Sequence, residues 1–283
     1  MFNLAYRNLL LFFKDKTTVF LSFLAEFIVI VLYILFIRDN LIENFQSFSQ
    51  ADLLIDVWMM AGILGISSTS TTMGVYTILV EDQSKKIYRD FMTAPIRHTS
   101  IIGGYLTAAI SIGIFMTFFL LLMWEFYISI RYDVHPGADR IFIIYGIIFL
   151  SSISSACLTL FLVSFLKTSS ALASCCTILG SLIGFLTGIY LPMGSLPEAV
   201  KLLVMGFPVS HGVVLFRQNL MEPFMIDSFG SLEIENAQYF IKYMGIQYYY
   251  KDETLSWKFS ICYLLFFSII TLIFSLCRFL HRR

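Results

Sequence analysis

The sequence predicts an all-α integral membrane protein with six transmembrane helices, and two observations carry this prediction. The chain of 283 residues is 58% hydrophobic and only 13% charged, whereas soluble proteins carry about 25% charged residues. Several apolar runs reach the roughly 20 residues that a helix needs to cross a bilayer core. These runs are continuous and lack the residue-by-residue alternation of a transmembrane β-barrel.

The first element, residues 1–16, is too charged near its end to span a membrane. As a helix it would place Asn3, Arg7 and Lys14 on one face and mostly apolar side chains on the other. We therefore expect an amphipathic helix that lies in the inner membrane interface.

The six spans follow within what we expect to be a single transmembrane domain covering residues 1–283. Their predicted bounds are residues 17–37, 56–80, 100–127, 140–166, 170–191 and 257–277.

Lysine and arginine residues set the expected orientation, because cytoplasmic segments of membrane proteins carry an excess of both. With the amino terminus inside, eleven of them fall on inner segments and three on the short outer loops. Both termini are therefore expected in the cytoplasm, with the chain in the inner, cytoplasmic membrane of the cell.

The loop after the second span, residues 81–100, is expected to form a cytoplasmic elbow. Helix formers run over residues 82–92 and stop before Pro95, which lacks an amide donor. Tyr88, Phe91 and Met92 share one face of this short helix. Such an apolar surface indicates either docking onto a partner or a helix that rests on lipid headgroups, and periodicity alone favours neither.

The long outer segment before the last span carries the signals of a helical hairpin. Ser195 and Glu198 form a capping-box pattern with Pro197 in the first turn, and Gly206 and Pro208 end the helix that follows. A helix of about ten residues cannot cross a bilayer, so we expect the chain to dip into the outer leaflet and return.

The rest of that segment, residues 192–256 as a whole, is expected to build an external cap. Ser210 is placed to cap a second short helix. After it, residues 222–253 are acidic and tyrosine-rich, and aromatic rings with polar edges suit a small ordered cap.

Polar residues inside the spans are the candidates for a transport path. The second span has six consecutive hydroxyl residues, which circle the helix, and we expect Ser68, Thr69 and Thr72 among them to line a conduit. Close helix packing is the alternative for such residues, and the favoured one for the small residues of spans four and five. Glu26, near the middle of the first span, should face protein or water, because an unpaired carboxylate in lipid is costly.

Several functions find no support in the sequence. It has no GxxxxGK[ST] phosphate loop and no HExxH motif, and its histidines are scattered, so we expect neither ATP hydrolysis nor a catalytic or metal site on this chain. The five cysteines lie in apolar runs without CxxC spacing, which is typical of packing residues.

The order of these elements resembles the permease subunit of type-2 ABC exporters, of the drug- and peptide-resistance kind. The likeness covers nearly the whole chain, through the motifs DFMTAPIRHTSIIGGY and LPMGSLPEAVKLLVMGFPVSHGVVLFRQ. Its main positions are Pro95, Gly103, Gly104, Pro192, Pro197, Pro208 and Arg217. The acidic segment after Met221 is longer than the outer loop usual in that family.

The resemblance implies partners and roles. Residues 82–92 would be the coupling helix received by a separate cytoplasmic ATPase, which would hold ATP and Mg²⁺, with no cofactor on this chain. The contact residues would be Tyr88, Arg89, Phe91, Met92 and Pro95. Residues 192–221 would be the outer re-entrant pair, and two permeases, identical or homologous, would assemble in the bilayer, with no role for nucleic acid.

The expected function is therefore ATP-driven export of an amphipathic drug, peptide or lipid-like substrate. An alternative within the same architecture is export of a lipid-linked polysaccharide. An ion-coupled secondary transporter would instead show an inverted repeat and charges at the midplane, and the sequence offers only Glu26 and no clear repeat.

Overall fold

The computed structural model describes residues 1–46, 48, 50–134, 140–229, 234–251 and 253–281. Its α-helices are α1 (Phe2–Lys14), α2 (Lys16–Leu32), α3 (Arg38–Asn44), α4 (Ala51–Ser84), α5 (Ile87–Thr93), α6 (His98–Tyr132), α7 (Ile141–Val163), α8 (Ser169–Leu186), α9 (Glu198–Gly206), α10 (Pro208–Phe229), α11 (Ile234–Met244) and α12 (Trp257–His281). A π-helix at Tyr33–Ile37 joins α2 to α3, and a 3₁₀ helix at Met193–Ser195 precedes α9. A small antiparallel hairpin pairs β1 (Tyr249–Tyr250) with β2 (Glu253–Thr254).

Six helical segments in the described part of the chain are long and apolar enough to cross a membrane. They are Lys16–Asn44, Ala51–Ser84, His98–Tyr132, Ile141–Val163, Ser169–Leu186 and Trp257–His281. The prediction of a six-span helical membrane protein is thus confirmed. Several spans run past their predicted ends, because the helices continue into polar flanking residues that apolar runs do not mark.

The fifth span is shorter than predicted and ends at Leu186 instead of residue 191. Gly188 adopts a φ of 65°, in the left-handed region, and such a glycine commonly terminates a helix. Few residues of this span are buried within the chain, so close packing through its small residues stays a prediction. Gly184 does pack against the ring of Tyr190, whereas no described atom lies within 4 Å of a Cβ built on Gly180.

α4 is the centre of the bundle. In its most apolar stretch 94% of residues are buried, against 18% in the first span and 11% in the fifth. It packs against α6, α7 and α10, and a Cβ added at Gly65 would lie only 2.3 Å from Cγ2 of Val213 in α10. The first and fifth spans therefore lie at the periphery.

The bundle has two distinct ends, the α1 end and the cap end. The α1 end carries α1 and α5, and its buried cluster includes Tyr76 and Tyr105. The cap end carries α3 and α11, where the rings of Phe45 and Phe240 lie 4.9 Å apart, and its buried cluster includes Trp58.

α1 docks on the protein through a face that mixes apolar and polar residues. Ala5, Asn8 and Phe12 are buried, whereas Phe2 and Phe13 are exposed. At the junction with α2, Asp15 accepts hydrogen bonds from the backbone amides of Thr17 and Thr18, which caps α2. The exposed apolar side chains of α1 suit contact with lipid, and its place in the membrane interface stays a prediction.

Candidate functional site

The elbow after the central helix is sharper than the sequence indicated. α4 continues to Ser84, Lys86 adopts a φ of 66°, and α5 covers only Ile87–Thr93. The prediction of one helix over residues 82–92 is therefore wrong, because the chain turns at Lys86. Ala94 is extended, with a ψ of 152°, which is the conformation favoured before proline, so α5 ends ahead of Pro95 as predicted.

The apolar face of α5 is turned towards the protein's own core. Tyr88, Phe91 and Met92 are half-buried and pack against the buried cluster at the α1 end. The guanidinium carbon of Arg7 lies 5.5 Å from the centre of the Phe91 ring. The exposed side chains of α5 are polar: Arg89, Asp90 and Thr93. A partner at this surface would therefore meet polar side chains together with the edges of the three apolar ones.

Asp82 joins three helices beside the elbow. Its side chain is 5% exposed and accepts hydrogen bonds from Nη1 and Nη2 of Arg7 at 2.7 and 3.0 Å, and from the hydroxyl of Tyr105 at 2.5 Å. The hydrogen bonds to Asp82 raise the pKa of Arg7 above its usual value. Sequence analysis missed this cluster, since it placed Asp82 on an exposed elbow and Arg7 in the membrane interface.

The hydroxyl run of the second span points largely into the bundle. Ser68 and Thr69 lie 2.9 and 2.8 Å from the hydroxyl of Ser155 in α7, and Thr72 lies 3.3 Å from the hydroxyl of Thr159. All five of these residues are buried. This geometry favours close packing of spans two and four, and the role of Ser68, Thr69 and Thr72 as a conduit stays a prediction.

Glu26 faces protein, as predicted. The residue is 3% exposed, and its Oε1 accepts a hydrogen bond from the hydroxyl of Ser70 at 2.7 Å. Oε2 has no hydrogen-bond partner among the residues that the structure describes. Glu26 is thus one of the contacts between the peripheral first span and the central helix.

The predicted hairpin before the last span consists of α9 and α10, which meet at an angle of 90°. α9 ends at Gly206 and α10 begins at Pro208, so the break falls where predicted. The capping box is wrong, because α9 begins after Pro197 and no side chain in the described part of the chain caps it. Ser195 belongs to the preceding 3₁₀ helix and donates to the carbonyl of Pro192 at 2.8 Å. Glu198 instead accepts a hydrogen bond from Lys201 at 2.7 Å.

α10 also differs from the predicted short helix capped by Ser210. It has 22 residues, and Pro208 at its start has the φ that a first helical turn needs. Ser210 lies inside the helix and donates a hydrogen bond to the carbonyl of Val204 at 2.6 Å. It thus gives a partner to a carbonyl in the last turn of α9. A pair bent in this way fits both a broken span and a re-entrant loop, and the re-entrant assignment stays a prediction.

Arg217 of α10 is a buried cation held by an aromatic ring and carbonyl groups. Its guanidinium carbon lies 4.3 Å from the ring centre of Trp58. It donates to the carbonyls of Gly188 at 2.8 Å and of Met244 and Gly245 at 3.4 Å. Among the described residues no carboxylate forms an ion pair with it. The side chain ties α4 to the turn after α8 and to the segment after α11.

Asp56 forms a second buried carboxylate cluster, at the cap end. It is 1% exposed and accepts hydrogen bonds from Tyr33 at 2.8 Å, from Nε of Arg38 at 2.9 Å and from Tyr132 at 2.5 Å. Sequence analysis treated Asp56 only as the edge of a span. The signal was present, since a carboxylate at membrane depth needs a cation and Arg38 stands across a short loop.

The comparison with known families decides the identity of the chain. The model of the family described as ABC-2 type transporter matches residues 1–221. The chain belongs to the ABC-2 type transporter family. No curated protein matches it significantly. The matched range includes the first five spans, the elbow, α9 and most of α10, and it stops where the tyrosine-rich segment begins.

This ABC-2 protein is therefore a multi-pass membrane protein and the permease component of a transporter. Permeases of this family are generally not catalytic, and they normally work with an ATPase partner. The resemblance noted in the sequence is thus confirmed at the level of the family.

Proposed function

We propose that this ABC-2 permease exports an amphipathic drug, peptide or lipid-like substrate, driven by a separate cytoplasmic ATPase that binds ATP and Mg²⁺. The observation that carries the proposal is the position of α5. It follows the central helix α4 across a single turn, and Asp82 ties that junction to α1 and α6. A displacement of α5 would therefore reach the most buried helix of the bundle directly. The substrate class is inferred from the resemblance to drug- and peptide-resistance permeases.

The proposed orientation places the α1 end in the cytoplasm of the cell. It is supported by the excess of lysine and arginine on the segments of that end. The cap end, with α9, α11 and the β-hairpin, then lies outside the cell.

The proposed ATPase contact is centred on α5. Arg89 is exposed there, and the edges of Tyr88, Phe91 and Met92 flank it, with Pro95 just beyond the end of the helix. Arginine is enriched at protein interfaces, and few residues of an interface carry most of its binding energy.

A second permease copy, identical or homologous, is proposed to cover the peripheral spans. On α8, Ala173, Thr177 and Gly180 are exposed along one face. Small residues let helix backbones approach closely in membranes, which makes this face suited to contact with another helix.

The experiment that tests the function is co-purification of the permease with its ATPase after charge reversal at Arg89. Arg89→Glu changes an exposed side chain and leaves the packing of α5 intact, so we expect a normally inserted permease that retains much less ATPase. Lys16→Glu is the matched control, since Lys16 is an exposed lysine at the same end outside α5. Full ATPase retention by Arg89→Glu would count against α5 as the coupling helix.

Phe91→Asp provides a second and stronger perturbation. Loss of an interface aromatic commonly costs about 2 kcal/mol or more, so the variant should lose both the ATPase and substrate-stimulated ATP hydrolysis. Because Phe91 also packs inside the protein, Phe91→Leu serves as the milder control, and thermal unfolding identifies any loss of the fold. A helix that merely rests on lipid would keep its ATPase in both variants.

A further inference from the structure

We propose that the cap end carries a site for the phosphate group of an anionic ligand. The site is a cavity of about 490 Å³ between α9 and the tyrosine-rich segment, with walls from the 3₁₀ helix, α9, α11 and the chain leading into β1. The tyrosine-rich segment lies beyond residues 1–221, which the family model matches. The inference thus adds a ligand site to the permease and goes beyond its export function.

Positive charge is concentrated on this cavity. Lys201, Lys242 and Lys251 line it. Glu198, the one carboxylate among its described lining residues, pairs with Lys201 at 2.7 Å, so the lysines outnumber the carboxylate by two. Residues 222–253 hold six acidic and two basic residues in the sequence, and both basic residues line the cavity. The acidic segment thus places both of its lysines at one cavity, and two ammonium groups at one site attract an anion.

The other lining groups suit phosphate. Tyr239, Tyr243, Tyr249 and Gln247 line the cavity, and phenol hydroxyls and amides donate hydrogen bonds. Phosphate offers several acceptor oxygens, and lysine binds it as a point charge. Nζ of Lys242 lies 5.3 Å from the ring centre of Tyr249, so an ammonium group and a phenol ring lie side by side at the cavity.

The wall of the cavity is formed by close packing. A Cβ added at Gly194 would lie 2.2 Å from Cδ2 of Tyr243, and one at Gly245 would lie 2.5 Å from Cγ of Met193. Gly245 also adopts a φ of 64°, which glycine tolerates without strain. The ring of Tyr243 is thus held against the backbone, and a preformed site loses less entropy when it binds a ligand.

The cavity lies beside an apolar surface. Leu202 and Leu203, which follow Lys201 on α9, are 55% and 64% exposed. Such leucines suit the boundary of the bilayer, so the phosphate group can belong to a lipid headgroup or to a soluble ligand. Both sources present the same chemistry to the lysines.

The test measures binding by the purified full-length permease without its ATPase, so its outcome is independent of transport. Calorimetry with inorganic pyrophosphate reports the soluble source. Native mass spectrometry with added phosphatidylglycerol, and with zwitterionic phosphatidylcholine for comparison, reports the lipid source. The variant Lys242→Gln/Lys251→Gln removes two charges at exposed positions. Lys258→Gln is the matched control, because Lys258 is an exposed lysine on α12 that does not line the cavity.

We expect the double variant to bind pyrophosphate, phosphatidylglycerol or both about tenfold more weakly, as the loss of charge-assisted contacts implies. Lys258→Gln should bind like the unchanged protein, and all proteins should unfold at similar temperatures. An effect on pyrophosphate alone identifies a soluble ligand, and an effect on phosphatidylglycerol alone identifies a lipid. If neither probe binds, or if the double variant binds both as well as the unchanged protein, the site does not exist.

Discussion

The guanidinium of Arg7 donates two hydrogen bonds to the carboxylate of Asp82, with lengths of 2.7 and 3.0 Å. This ion pair fastens α1 to the end of the central helix. Arg7 also covers the ring of Phe91. One arginine thus connects the amino-terminal helix, the central helix and the elbow.

Replacing Arg7 should therefore loosen the α1 end. Arg7→Gln leaves the buried Asp82 with Tyr105 as its remaining hydrogen-bond donor, and we expect a loss of about 1–3 kcal/mol in stability. The measurement is thermal unfolding in detergent. Arg7→Gln/Asp82→Asn should recover part of the loss, because the uncompensated charge is removed. Equal stability of Arg7→Gln and the unchanged protein would mean that the pair contributes nothing.

The topology is testable by cysteine labelling in a cysteine-free background, since the chain has five native cysteines. Ser84→Cys at the end of α4 should react only from the cytoplasm, and Gln247→Cys at the cap end only from outside. Arg282→Cys, at a position outside the described residues, should also react from the cytoplasm. Labelling of Gln247→Cys from inside would refute the six-span topology.

Variants at Glu26 distinguish a structural role of this residue from a role in transport. Glu26→Gln preserves a polar contact with Ser70, so we expect normal folding and near-normal export. Glu26→Leu removes the acceptor of a hydrogen bond worth about 0.5–1.5 kcal/mol, and we expect reduced export. Export assays in vesicles measure both variants, with Ser70→Ala as the control for the lost contact. Unchanged export in both Glu26 variants would reduce the residue to packing.

The proposed pairing of permeases predicts a cross-link through α8. Thr177→Cys in the cysteine-free background should form a disulfide-linked dimer in membranes under mild oxidation, because its face of α8 is exposed and lined by small residues. Ile269→Cys on α12 is the control, with a side chain that is 57% exposed. Equal cross-linking at the two positions would indicate random collision instead of a specific interface.

The features that the bilayer requires, above all the membrane-spanning helices, were predicted from the sequence. Apolar length identified all six spans, and Pro95 located the end of α5, because both signals act locally. The predicted capping box at Ser195 was wrong, because the spacing of Ser195 and Glu198 does not reveal that the helix begins only after Pro197. The cluster at Asp82 was missed for a different reason: its partners, Arg7 and Tyr105, come from other helices, and only the packed bundle brings them together. At Asp56 the nearby Arg38 was a usable signal, whereas Tyr132 becomes a partner only through packing.

The π-helix at Tyr33–Ile37 adds one residue to the first span, and the length of this span can be compared in related chains. A π-turn holds one residue more than an α-turn, and it stands between Tyr33 and Arg38, which both donate to Asp56. Deleting one residue there would convert the π-turn into an α-turn, and Arg38 would keep about the same face of the helix, because the residue removed is the extra one. Homologues one residue shorter in this stretch should therefore retain an acid at position 56, so that a gap in this span is inherited without a substitution in the next.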